Sequence, residues 1–251
     1  MIYTSGFKVV RSKKKDGNMV SPGDLQNQIN RLSFLKGVGA PPGRVYIRPE
    51  QGGEVQLADS GDAKFCQDGA VRCDALIARE KGVVMVLLLA DCPSLILYLP
   101  EYHVRVWHDY RMVEVKSGAR LAHIYLGRGP LEQNIIENTL NVLLPVDNRN
   151  LACTVNAVLV SGIGLCCYRF DEEVYQRILR EHWSHLEPDA DGKYTIDLAN
   201  EARQRLRDSG VMSFNQLGEC TCCSGEYFSH KRAKAGKKEF QGRHLVACWL
   251  L

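Results

Sequence analysis

The sequence predicts an α+β fold in which a mixed β-sheet is covered by helices, as a single domain over residues 1–251. Three observations predict it. Two apolar runs of strand length, Val83 to Leu89 and Ser94 to Leu99, lack alternation, as expected of strands covered on both faces. Stretches of helical periodicity fall irregularly among the strands, which disfavours a clean doubly wound parallel sheet. A chain of 251 residues, 45% hydrophobic and 24% charged, can bury a large core. It shows no internal repeat and no Gly/Ser/Pro-rich linker to divide it.

Taken in order, Ile2 to Val10 reads as an edge strand weakened by Gly6, and Asp24 to Lys36 as a helix with Leu25, Ile29 and Leu32 on one stripe. Val45 to Ile47 is a short strand, followed by the two central runs. Arg120 to Leu126 is a strand leading into Gly127-Arg128-Gly129-Pro130, where proline suits a first helical turn. Leu131, Ile135, Thr139 and Leu143 then line one helical face, ended by Pro145. Thr154 to Val160 reads as a strand and Asp171 to Trp183 as a helix with an acidic first turn. Asp197 caps a helix through Arg207, with Gly210 just past its end. Tyr227 to His230 and Leu245 to Leu250 complete the strands.

Composition excludes several classes. A net charge of +3 gives no general attraction to nucleic acid. No apolar run approaches the ~20 residues that span a bilayer, and the first residues lack a signal-peptide core. The ten cysteines do not form the dense spacing of a small secreted scaffold, so a cytoplasmic protein with free or metal-bound thiols is expected. The basic clusters Arg11-Ser12-Lys13-Lys14-Lys15 and Lys231 to Lys238 read as solvated loops, or as attractors of an anionic substrate.

Chemistry centres on Cys92, in Ala90-Asp91-Cys92-Pro93, where one apolar run ends before the next begins. A strand end can present a thiol as a ligand or nucleophile; a cysteine in apolar surroundings is otherwise core filler. His123 ends the next apolar strand, and the turn after it suits an anion: glycines admit backbone amides and Arg128 adds a fork of donors. Cys220-Thr221-Cys222-Cys223 invites a metal-site reading, but no second pair follows within reach. Cys166 and Cys167, read as strand neighbours, would point apart.

Several segments together resemble the bacterial laccase-domain family, long labelled multicopper polyphenol oxidases and now regarded as purine nucleoside-processing enzymes. They are Asp16-Gly17-Asn18-Met19, Asn30-Arg31, Cys73-Asp74-Ala75-Leu76-Ile77, Ala90-Asp91-Cys92, Ser161 to Tyr168, Ile196-Asp197-Leu198, Cys220-Thr221-Cys222, Tyr227 to Arg232 and Gly242-Arg243. The resemblance implies an α/β/β/α layering and a zinc ion held by the Cys of Ala-Asp-Cys and two histidines. On this chain those positions are Cys92, His123 and, where the first histidine should stand, Gln51. Cys66, Cys73 and His108 are candidates to replace the missing ligand. The resemblance further implies Cys92, His123 and Arg128 as catalytic residues, with Arg48, Asp91, Gly127 and Gly129 binding substrate. The His123 motif is one residue longer than the family's, which could put Ile124 at the ligand position instead.

The implied activity is zinc-dependent purine nucleoside phosphorolysis or adenosine deamination, with nucleoside and phosphate as partners and a monomer or homodimer as the working form. A diverged member that binds a nucleoside or protein without turnover is the alternative. Copper oxidase chemistry is less favoured, because blue-copper sites need a His-His-Cys set and oxidases need more imidazoles.

Overall fold

The computed structural model of the chain describes residues 2–3, 6–20, 24–58, 70–108, 111–145, 149–183 and 185–251. In place of one edge strand, β1 (Ile2–Tyr3) and β2 (Phe7–Arg11) pair antiparallel. Gly6 before β2 leaves room for the Tyr98 hydroxyl, which a Cβ there would meet at 1.9 Å. The next strands are β3 (Gly43–Arg48), β4 (Val55–Ala58), β5 (Ala70–Arg72), β6 (Ala75–Ala78), β7 (Val83–Leu89) and β8 (Ser94–Leu99). A hairpin of β9 (Tyr102–His108) and β10 (Arg111–Ser117) precedes β11 (Arg120–Tyr125). Beyond them lie β12 (Asn156–Val160), the short pair β13 (Arg169–Phe170) and β14 (Tyr194–Thr195), then β15 (Ser213–Leu217) and β16 (His244–Leu250).

Two mixed six-stranded sheets result, in the orders β1-β2-β16-β7-β3-β5 and β15-β12-β8-β11-β6-β4. They pack face to face over Phe7, Val9, Leu76, Met85, Leu87, Ile96, Leu121, Val158 and Cys248. The outer face of the first sheet meets the helix Leu25–Gly37 through Val84, Val86, Ala247, Trp249 and Leu35. The outer face of the second is covered by the helices Arg128–Glu132, Ile135–Leu143 and Leu198–Asp208. This is the expected α/β/β/α layering in one α+β unit. Each fully buried Leu or Ile in these layers contributes about 1.5–3 kcal/mol, which is why β7 and β8 show no alternation.

Several elements differ from expectation. Leu25, Ile29 and Leu32 are 70%, 44% and 45% exposed, and the helix instead buries Asn27, Arg31 and Leu35. Arg31 Nη1 donates to the Met19 carbonyl at 2.8 Å, and Asn30 Nδ2 to that of Asn18 at 3.0 Å, so polar pairing sets the inward face. The helix expected over Asp171 to Trp183 is one turn, Glu172–Val174, running into a wider π turn, Tyr175–Leu179. Tyr227 to His230 is not a strand: Ser229 caps the helix His230–Lys234, its side chain accepting from the Arg232 amide. Arg11, expected in a solvated cluster, lies 3.6 Å over the Tyr227 ring.

Candidate functional site

The turn carrying Cys92 joins β7 of one sheet to β8 of the other, so Cys92 sits at the corner between the layers. Asp91 takes up left-handed backbone (φ 77°), which is costly for a non-glycine residue. Three donors to its carboxylate offset that cost: Thr221 Oγ1 to Oδ1 at 2.7 Å, and Ser229 Oγ and the Lys231 amide to Oδ2 at 3.0 and 2.7 Å. Its carbonyl accepts from the Ile163 amide at 2.5 Å. Expected on substrate, Asp91 is instead 7% exposed and tied to three other residues. It binds the Cys92 turn to the segments 161–168 and 220–231.

The Cys92 thiol meets Tyr125 Oη at 2.9 Å. Burial raises the thiol pKa, and the Tyr125 hydrogen bond and Arg243 oppose that shift. Burial raises the Tyr125 phenol as well, reinforced by Cys92, and lifts Tyr168 to about 12. All three groups are therefore neutral near pH 7, able to donate and to accept. Arg128 is held by Glu132 Oε1 at 2.5 Å, and Trp183 Nε1 fixes the same oxygen at 2.6 Å. Arg128 partly opposes the effect of burial at Tyr168. Cys92 and Tyr125 are thus paired at the corner between the sheets, and Tyr168 feels the charge of both Cys92 and Arg128.

His123 finds its hydrogen-bond partner elsewhere. Alternation along β11 puts it on the same face as Tyr125 but two residues farther in. Its ring is fully buried, and Nδ1 donates to the Met85 carbonyl at 3.3 Å. Nε2 has no partner, and burial lowers the imidazole pKa to about 3. Ile124 faces the opposite side, in the core against the helices, whereas Cys92 packs on the inter-sheet core, so the longer-motif register does not set position 124 against Cys92.

Gln51 has left-handed backbone (φ 62°), held because the buried Asp74 carboxylate accepts from the amides of Gln51, Gly52 and Gly53 at 2.8–2.9 Å. The Gln51 side chain lies against Gly129, where a Cβ would come within 3.2 Å of Oε1. Arg48 is exposed at the end of β3, and Gly127 caps the helix Arg128–Glu132. Cys73 is buried. Cys66 and the side chain of His108 lie outside the described residues.

Zinc on Cys92, His123 and Gln51 can be tested against these contacts. The three residues offer a thiol hydrogen-bonded to a phenol, an enclosed imidazole and an amide, and no second imidazole. That set does not fit a tetrahedral zinc site.

A different group does bring metal-binding atoms together. The sulfurs of Cys166, Cys167, Cys220 and Cys223 all lie within 4.8 Å of one another, an arrangement that can hold a metal ion. Cys166 and Cys167 sit in a turn and not on a strand, so both reach Cys223, each at 3.4 Å. The second pair missing from the sequence downstream of Cys220 is thus supplied from upstream, at no motif-like spacing. Burial opposes ionisation of Cys220, yet amides of Gly164, Cys223 and Cys222 and the Cys166 thiol donate to it and hold its pKa below the ordinary value. Hydrogen bonding to Cys223, then burial, raises Cys166 to about 11.

Residues 112–251 match the family described as multi-copper polyphenol oxidoreductase laccase. A purine nucleoside phosphorylase of Streptomyces coelicolor is 24% identical over 224 residues, covering 88% of this chain and 81% of that protein. One from Xylella fastidiosa is 23% identical over 230 residues, 88% of this chain and 77% of that one. The match to a purine nucleoside phosphorylase of Campylobacter jejuni, 24% identical, spans 66% of this chain and 64% of that protein. The crystal structure of the Bacillus licheniformis protein YfiH superposes with a TM-score of 0.73 at 19% identity, covering 98% of this chain and 93% of that one. A Neisseria meningitidis protein of the DUF152 family gives 0.71 at 18% identity, covering 98% and 95%. At such identities the structural likeness shows the fold.

Proposed function

Because the chain belongs to the multi-copper polyphenol oxidoreductase laccase family, we propose that it binds purine nucleosides at the Cys92 corner and cleaves them by phosphorolysis. The names of the relatives aligned over 88% of the chain support the substrate class. One observation carries the choice of reaction: Tyr125, not an imidazole, stands 2.9 Å from the Cys92 thiol. Deamination at C6 requires an activated water, and the donors here do not fit the zinc that would supply one. Phosphorolysis asks for a cation at the phosphate and a donor at the departing base. Arg128, anchored by Glu132, serves as the cation.

In this reading the bond from C1′ to N9 of the purine breaks as a phosphate oxygen bonds C1′. Tyr125 or Tyr168, both neutral, donates a hydrogen bond that stabilises negative charge developing on the base. Their rings offer flat surfaces for a purine to stack on. A reducing cytoplasm belongs to the same proposal, since nine cysteines among the described residues are free. No helix among those residues is long and apolar enough to cross a membrane.

A second reading rests on the same contact. If the phenol merely seals the thiol, the corner holds a nucleoside without turning it over. Incubating the protein with adenosine, inosine or guanosine, with and without phosphate, separates the two. Phosphorolysis yields free base and ribose 1-phosphate only when phosphate is present. Binding by calorimetry without products would establish the second reading. Inosine formed from adenosine in phosphate-free buffer would overturn both.

A further inference from the structure

We propose that Cys166, Cys167, Cys220 and Cys223 form a tetrathiolate zinc site that pins together the two turns packed on the Cys92 corner. Four sulfurs lying within 4.8 Å of one another approach the edges of a ZnS₄ tetrahedron, about 3.8 Å for bonds of ~2.3 Å. The 3.4 Å contacts from Cys223 to Cys166 and Cys167 are far longer than a disulfide's ~2.05 Å. A disulfide would also leave two of the four thiols unused.

The local chain supports the same assignment. Cys220 and Cys223 stand at the C-x-x-C spacing of a metal-binding knuckle, and Cys220 Sγ accepts the Gly164 amide at 3.1 Å. Amides directed at a sulfur orient it and support its negative charge, the part that outer contacts play around a metal. Gly164 has little room for a side chain, since a Cβ there would come within 3.2 Å of Cys220 Cβ and 3.5 Å of Cys166 Sγ. Lys231 Nζ donates to the carbonyls of Cys167 and Arg169, bringing a cation close to the anionic centre.

The two turns are those fastened to the catalytic corner. Thr221 donates from its amide to the Gly162 carbonyl and from its hydroxyl to Asp91, and Ile163 donates to the Asp91 carbonyl. A metal there would fix segments separated by over fifty residues of sequence, without touching substrate. Cys92 has no part in it, and the site is independent of the phosphorolysis reading.

The test is the metal content of protein purified without chelator, in parallel with Cys92→Ala and Cys220→Ser/Cys223→Ser variants. About one zinc per chain is expected, kept by Cys92→Ala and lost by the double variant. Should the double variant fail to fold, cobalt-exchanged wild-type protein decides instead: intense thiolate charge-transfer and tetrahedral d–d bands support four sulfur ligands. Zinc that disappears with Cys92, a cobalt spectrum of mainly nitrogen and oxygen ligands, or metal-free protein with a Cys166–Cys223 or Cys167–Cys223 disulfide after anaerobic purification would each overturn the proposal.

Discussion

At Gly162 the backbone of one turn runs against the backbone of another. A methyl group there would lie 2.1 Å from the Asp91 carbonyl oxygen and 2.4 Å from the Pro93 nitrogen. Both obstacles are main chain, so neither can swing aside. Gly162→Ala is expected to lower stability by about 1–3 kcal/mol or more, read as a shift in urea midpoint. An unchanged midpoint would show that the corner is not fixed by this approach. Cys92 and Asp91 were legible as special from their place between two apolar runs, but their roles were not. The carboxylate's partners come from residues 221, 229 and 231, which no local spacing announces. Tyr125 was missed because the motif was aligned on its histidine. Strand alternation offered a signal, since positions 123 and 125 share a face and 125 lies nearer the turn.

Elements show why sequence pattern finds a helix or strand more readily than its inward face. The helix Leu25–Gly37 has an apolar stripe, yet it turns Asn27 and Arg31 inward, because buried carbonyls such as that of Met19 need donors. In β11 the reverse occurs: a titratable residue is enclosed where an apolar one would fit. His123 and, on β16, His244 are both fully enclosed, and burial depresses both imidazoles, His123 to about 3; Arg11 and Arg243 add to the effect at His244. The unfolded chain takes up protons below its ordinary histidine value of about 6.5 while the folded one does not. Their contribution is therefore full above that value and is lost as pH falls through the window below it, by about 1.4 kcal/mol per pH unit for each ring. His123→Leu is expected to fold and to lose stability less steeply than wild type between about pH 6.5 and 4.5. Urea titrations at several pH values check this. Equal slopes would mean that the ring is protonated or hydrated in the folded protein.

For the whole molecule, length, composition and the two unalternating runs were enough to indicate mixed sheets with helical covers. The division into two sheets was not legible from them, because β7 and β8 look like neighbours but belong to different layers. That crossing creates the corner where Cys92 and Tyr125 meet. It also brings together thiols from positions 166–167 and 220–223, whose separation in sequence hid the group.

Cys92 pairs with the phenol of Tyr125, and His123 belongs to the core. Phosphate-dependent release of base from inosine, compared in wild type, His123→Leu and Tyr125→Phe, tests this most directly. His123→Leu should stay within about twofold of wild type, while Tyr125→Phe should lose tenfold or more, about the contribution of one hydrogen bond made in the transition state. Activity abolished by His123→Leu and untouched by Tyr125→Phe would contradict it.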